Sequence, residues 1–139
     1  MKKFSLDILT PDRVIHSGYV KYVSIPEVDG EIMILPGHAP LIGELGIGII
    51  KLETTNDVKK EFFCSGGFID VTWENVTILA NVVKEVDEID RDVIERQREE
   101  IMEKLFSSST EYDYGELMKE LKMTEYQLKL LERQSNVSG

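Results

Sequence analysis

Side chains able to do covalent, metal or acid–base chemistry are few in this chain of 139 residues, which has two histidines, one cysteine and scattered carboxylates. His16 and His38 are far apart and fit neither an HExxH nor an HxH spacing. Cys64 has no second thiol and no base at motif spacing. Neither a metal site nor an activated nucleophile is expected from these residues, and a lone thiol fits a reducing compartment. Gly43, Gly46 and Gly48 lie in strand-like surroundings, without the following helix or the Gly-Lys-Ser/Thr ending of a phosphate loop. Gly66-Gly67 reads as a bulge or tight bend, and Glu99-Glu100 as a solvated helix face. The residues alone predict no catalytic centre.

The densest unusual stretch runs from Asp29 to Leu41 and joins a reversal, a hydrophobic strand and the loop Pro36-Gly37-His38-Ala39-Pro40. Proline fixes φ and removes a donor, so this loop belongs at a sheet edge or tip. His38 reads as a hydrogen-bonded structural side chain rather than a titrating switch. With 26 acidic and 16 basic residues, a formal net charge of −10 repels phosphate backbones and anionic headgroups. No nucleic-acid partner and no direct lipid binding are expected. The longest uncharged stretch, Ile32 to Gly43, is far short of the roughly 18 apolar residues of a spanning helix. Lys2 and Lys3 are followed by Asp7 without a small-residue cleavage site, so no secretory signal is expected. The chain reads as cytosolic or cytosol-facing.

Two kinds of element must position these residues. All four prolines precede residue 41 and eight of the ten glycines lie at or before Gly67. Apolar and polar residues alternate over Phe4–Ile8, Val20–Ile25, Glu31–Leu35, Gly46–Glu53, Val58–Cys64, Gly67–Thr72 and Val76–Lys84, which predicts short strands of a sandwich or barrel. Turns are expected at Thr10–Arg13, Asp29-Gly30, Asn56-Asp57 and Glu74-Asn75. No helical period separates the strands, which argues against βαβ crossovers. After Val86 the period changes. Ile89, Val93, Ile101 and Leu105 mark one amphipathic helix, begun by Asp87 and Asp90. Ser107–Thr110 interrupts it, Thr110 and Asp113 form a capping pattern, and Tyr114, Leu117, Leu121, Leu128 and Leu131 mark a second helix. A short polar link implies an antiparallel hairpin. Residues 1–84 carry −3 and residues 85–139 carry −7. The hairpin is open to two readings, a fixed helical lid or an arm that exchanges its packing for a partner's surface.

Three segments in order, Gly30 with Ile34-Leu35-Pro36-Gly37-His38-Ala39-Pro40-Leu41, then Ser65-Gly66-Gly67-Phe68-Ile69-Asp70-Val71, then Asn75-Val76-Thr77-Ile78-Leu79-Ala80, resemble the epsilon subunit of the bacterial rotary ATP synthase. The helical tail and overall length extend the resemblance over nearly the whole chain. It implies a flattened, ten-stranded antiparallel β-sandwich over residues 1–84, followed by a two-helix hairpin over 85–139. The sandwich would bind the gamma subunit and the ring of c subunits, with Glu31, Pro36, Gly37 and His38 as the expected contacts. The hairpin would be a regulatory arm that reaches the catalytic alpha and beta subunits and blocks ATP hydrolysis. Lys119, Lys122, Lys129 and Arg133 would then meet acidic loops. The implied protein is a non-catalytic rotor subunit, peripheral on the cytoplasmic face of the cell membrane.

Met33 stands where many members have glycine, and Asn81 where an aspartate commonly follows Leu-Ala. At the start of the first helix, nucleotide-binding members carry Ile-Asp-x-x-Arg-Ala. Ile89 and Asp90 match, but Val93 replaces the arginine and Ile94 the alanine. Valine lacks the cationic fork that phosphates would use, so no cofactor is expected. The alternative is a nucleotide-sensing module with ATP between the helices, held at Ile89 and Asp90. A third reading, a free-standing sandwich enzyme or lectin with a dimerising tail, would be recognised by purification without ATPase subunits.

Overall fold

A computed structural model describes residues 2–107 and 110–138; Ser108 and Ser109, within the predicted helix interruption, lie outside the described residues. The chain divides into two compact units, one through Lys84 and one from Glu85 onward.

The first unit contains β1 (Phe4–Leu9), β2 (Val14–Glu27), β3 (Gly30–Ile34), β4 (Leu41–Thr54), β5 (Lys59–Val71) and β6 (Asn75–Lys84). They form one sheet in the order β1-β6-β5-β4-β2-β3, closed on itself by a further β1–β2 pairing. Every pairing is antiparallel except β1 with β6, the first and last strands, which run parallel. No crossover helix is needed, because the connection between them is the rest of the unit.

Long strands serve both halves of the sandwich. The first half of β2 pairs β1 and its second half pairs β3 and β4. The runs Val58–Cys64 and Gly67–Thr72, expected as separate strands, are one strand, β5. At Gly66 the chain takes φ +72°, and pairing to both Gly46 and Asn81 is skipped while the register on either side is kept. Gly66-Gly67 is therefore a bend without a bulge. The structure thus has six strands where the resemblance implies ten, because β2, β4, β5 and β6 are long and continuous. The core is formed by inward-pointing residues of every strand, including Leu6, Ile8, Val23, Ile34, Leu52, Ile69 and Ile78. Cys64 lies within it, and burial pushes its thiol up to about 12, so it is an inert core side chain.

In the second unit a 3-10 turn (Val86–Glu88) precedes α1 (Arg91–Phe106) and α2 (Tyr114–Ser138). The helices are about 24 and 38 Å long at 1.5 Å per residue. They pack together, and α2 also contacts the 3-10 turn ahead of α1, so they run antiparallel. Asp90 caps α1 by accepting from the backbone N–H groups of Asp92 at 3.1 Å and Val93 at 3.4 Å. For α2 the cap is Asp113, which accepts from Glu116 N–H at 3.2 Å, rather than Thr110. The buried faces meet the expected seams at Ile101 and Leu117 and depart from them elsewhere. Ile94 and not Val93 is buried on α1, and Leu117, Thr124, Gln127 and Leu130 form the buried arc of α2. Leu121, Leu128 and Leu131 are only half-buried, and Tyr114 is exposed.

Candidate functional site

The Pro36-Gly37-His38 segment lies at a tip, beside the edge strand β3. His38 N–H donates to Leu35 C=O at 3.1 Å, with Pro36 second and Gly37 third at φ +84°. Proline followed by a left-handed glycine is a type II turn. A Cβ at Gly37 would meet nothing within 4 Å, so the glycine is required by backbone angle alone. His38 Nδ1 lies 2.7 Å from Ala39 O, which ties the ring to its own loop.

Glu31 is not part of that tip. It lies on β3 opposite Pro26, where its carboxylate accepts from the Ser24 hydroxyl and sits 3.9 Å from the Lys51 ammonium. A second cross-strand group joins Lys21 to Glu53, at 3.1 Å, and to Asp57. The two carboxylates raise the Lys21 pKa. The predicted stalk and ring contacts thus fall at two places, the tip of the β3–β4 loop and the outer side of β3.

A third surface, not foreseen, is the outward face of β4, β5, β6 and β1. Residues of successive strands stand directly opposite one another in the row Glu44, Phe68, Leu79, Leu9, Val14. Ile42 is diagonal to Phe68 and 81% exposed, while Phe68 itself is 65% exposed. Large apolar groups at outward positions of neighbouring strands make one continuous patch, bordered by Glu44, Asp70 and Asp7. Such patches mark binding surfaces more often than isolated exposed side chains do. The available signal was an apolar residue at the outward parity in each of several strands, legible only once the pairing register is known.

On α2, Lys119, Lys122, Tyr126, Lys129 and Arg133 fall within an arc of about 80° at 100° per residue. Lys119, Lys122 and Lys129 are exposed, Arg133 is half-buried, and the Lys129 ammonium lies 5.6 Å from the Tyr126 ring centroid. Glu120, Glu125 and Glu132 fall outside the arc. Helical spacing along α2 therefore places the four predicted cations on one basic stripe. Of the nucleotide-motif residues, Ile89 is buried and the Asp90 carboxylate is engaged as the helix cap. Among the described residues, no group of three or more His, Cys, Asp or Glu side chains is arranged to hold a metal.

His16 is a buried histidine of the β unit, and its Nε2 has no hydrogen-bond partner among the described residues. Burial, helped by the charge of Lys60, lowers its pKa from the ordinary 6.5, while Asp7 and the Gly18 backbone act weakly the other way. The unfolded chain thus binds the proton more readily. Stability is full above about pH 6.5 and is lost as pH falls toward the native pKa. Urea unfolding between pH 7 and pH 5.5 is expected to show a steeper fall for the wild type than for His16→Leu, by at most about 1.4 kcal/mol per pH unit. Identical slopes would remove this assignment.

Fold and surface together define a class: a small closed β-sandwich with an exposed apolar face, followed by a helical hairpin. Residues 3–86 match the family model of the ATP synthase Delta/Epsilon chain beta-sandwich domain. The ATP synthase epsilon chain of Carboxydothermus hydrogenoformans is 41% identical over 103 residues, covering 74% of this chain and 76% of that one. That of Alkalilimnicola ehrlichii is 32% identical over 133 residues, covering 96% and 95%. This chain belongs to the ATP synthase epsilon chain family. A chain in the cryo-EM structure of Euglena gracilis mitochondrial ATP synthase (OSCP/F1/c-ring) superposes with a TM-score of 0.84 at 25% identity, covering 94% of this chain and 82% of that one. One from the central stalk/c-ring structure of the Tetrahymena thermophila enzyme has a TM-score of 0.60 at 15% identity, covering 94% and 99%, a likeness of fold alone. No helix among the described residues is long and apolar enough to cross a membrane.

Proposed function

We propose that this epsilon-family chain is a non-catalytic rotor subunit of the central stalk, coupling rotation of the c-ring to ATP synthesis and conditionally inhibiting ATP hydrolysis through its C-terminal helices. Its partners in this reading are the gamma subunit, the c-ring and, through the helices, the catalytic alpha and beta subunits. It sits peripherally on the cytoplasmic face of the bacterial membrane. The Euglena gracilis neighbour comes from an assembly described as containing OSCP, F1 and the c-ring, which supports these partners.

The observation that carries the reading is the apolar row through Phe68 and Leu79. Its acidic border fits a partner surface with an apolar centre and basic rim. The turn at Pro36-Gly37-His38 and the Glu31 group serve as further contacts at the tip and side. Introducing a carboxylate into the row desolvates a charge on docking. Phe68→Asp is expected to weaken capture of the purified gamma subunit by about tenfold or more, while unfolding of the isolated chain stays close to wild type because Phe68 is exposed. Undiminished capture would show that the row is not the docking face.

In the helical unit the basic stripe is the contact set for acidic loops of the catalytic subunits, which would hold the rotor at one angle. No nucleotide is part of this reading. Asp90 is occupied by two backbone N–H groups, and Val93 offers no cation to a phosphate.

A further inference from the structure

The buried arc of α2 carries two polar side chains, Thr124 and Gln127, between Leu117 and Leu130. Thr124 is satisfied within its own helix, donating its hydroxyl to Leu121 C=O at 2.7 Å. Gln127 is only half satisfied. Its Nε2 donates to Met123 C=O at 3.1 Å, whereas Oε1 is buried and has no partner among the described residues, in a side chain that is 4% exposed. The carbonyl of Met123 anchors the amide by its nitrogen. Exchanging the two ends would set oxygen against oxygen and leave the nitrogen unpaired instead, so no orientation of this amide relieves the defect.

A buried amide oxygen without a donor costs free energy only while it is buried. Water satisfies it as soon as this face of α2 is released. We propose that Gln127 is a built-in destabilising residue of the helical unit, holding the packed state of α2 near balance with a released state and so setting how readily the unit exchanges its packing for a partner. This rests on the mobile-arm reading of the helices given above. It deepens that reading by assigning the balance to one side chain, separate from the basic stripe that makes the contacts.

The test compares the full-length wild type with Gln127→Met, Gln127→Leu and Gln127→Glu by hydrogen–deuterium exchange. Methionine and leucine keep most of the volume and remove the polar oxygen. Both are expected to slow exchange of the α2 amides about five- to tenfold, with the β5 amides unchanged. Glutamate keeps the shape, adds charge, and is expected to speed α2 exchange. Unchanged or faster α2 exchange in both apolar variants would overturn the proposal. The same variants, reassembled with the other ATPase subunits, separate it from the reading on which it rests. Slower α2 exchange together with weaker inhibition of ATP hydrolysis supports both. Slower exchange with unaltered inhibition supports the role of Gln127 and overturns the inhibitory arm.

Discussion

Gly67→Ala is expected to remove roughly 3–5 kcal/mol of unfolding free energy, a large share of the 5–15 kcal/mol or so typical of a domain. A Cβ at Gly67 would stand 1.9 Å from Leu79 O and 2.9 Å from Ala80 Cα. Both are backbone atoms of β6, held in the ladder by the Gly67–Ala80 and Phe68–Leu79 pairs, and Leu79 is paired on its other side with Leu9. No rotamer change makes room. Either β5 and β6 separate or the bend is lost, and φ at +135° is itself unfavourable for alanine. The neighbouring glycine provides the control. At Gly66 the added Cβ meets the end of the exposed Asn81 side chain at 2.8 Å, which can rotate away, so Gly66→Ala costs mainly the left-handed backbone, about 1–2 kcal/mol. Urea midpoints at constant m-value measure both. Equal costs at the two positions would refute the steric assignment.

Removing residues 86–139 is expected to leave the β unit folded and to raise ATP hydrolysis by the reassembled enzyme about fivefold or more under inhibiting conditions. The first half of this expectation follows from the core, whose buried cluster is drawn wholly from Phe4 to Val83, so truncation takes none of it. Cooperative urea unfolding of the truncated chain, and its retained capture of gamma, are the checks. The second half follows from the basic stripe. A variant carrying Lys119→Glu, Lys122→Glu and Lys129→Glu keeps the helices, because these side chains are exposed, but reverses their field. It should relieve inhibition nearly as far as the deletion. Hydrolysis unchanged by both alterations would count decisively against an inhibitory arm, while relief by deletion alone would move the contacts off these lysines.

Much of the fold was legible because it is written in local chemistry. Alternation of apolar residues located the strands, the loss of proline and glycine marked the passage to helices, and the two prolines of Pro36–Pro40 placed their loop at a tip beside the edge strand. The misplacements have local causes too. Asp113 outcompetes Thr110 as a cap because its carboxylate reaches Glu116 N–H. Gly66-Gly67 is the bend expected there, but the runs on either side of it are one strand rather than two, because two glycines can bend a strand and leave its register intact.

The sequence by itself determined the two-unit organisation, the strand and helix content, the family, and which cations line α2, since fixed helical spacing places Lys119, Lys122, Lys129 and Arg133 on one stripe. Only the tertiary structure decided what depends on residues distant in the chain. The parallel pairing of β1 with β6, the separation of Glu31 from the tip turn, and the row formed by Leu9, Val14, Phe68 and Leu79 all require the cross-strand register, which no local period encodes. The same holds for Gln127. Its type and helical position are plain in the sequence, but that its oxygen is buried without a donor is a property of the packing around it.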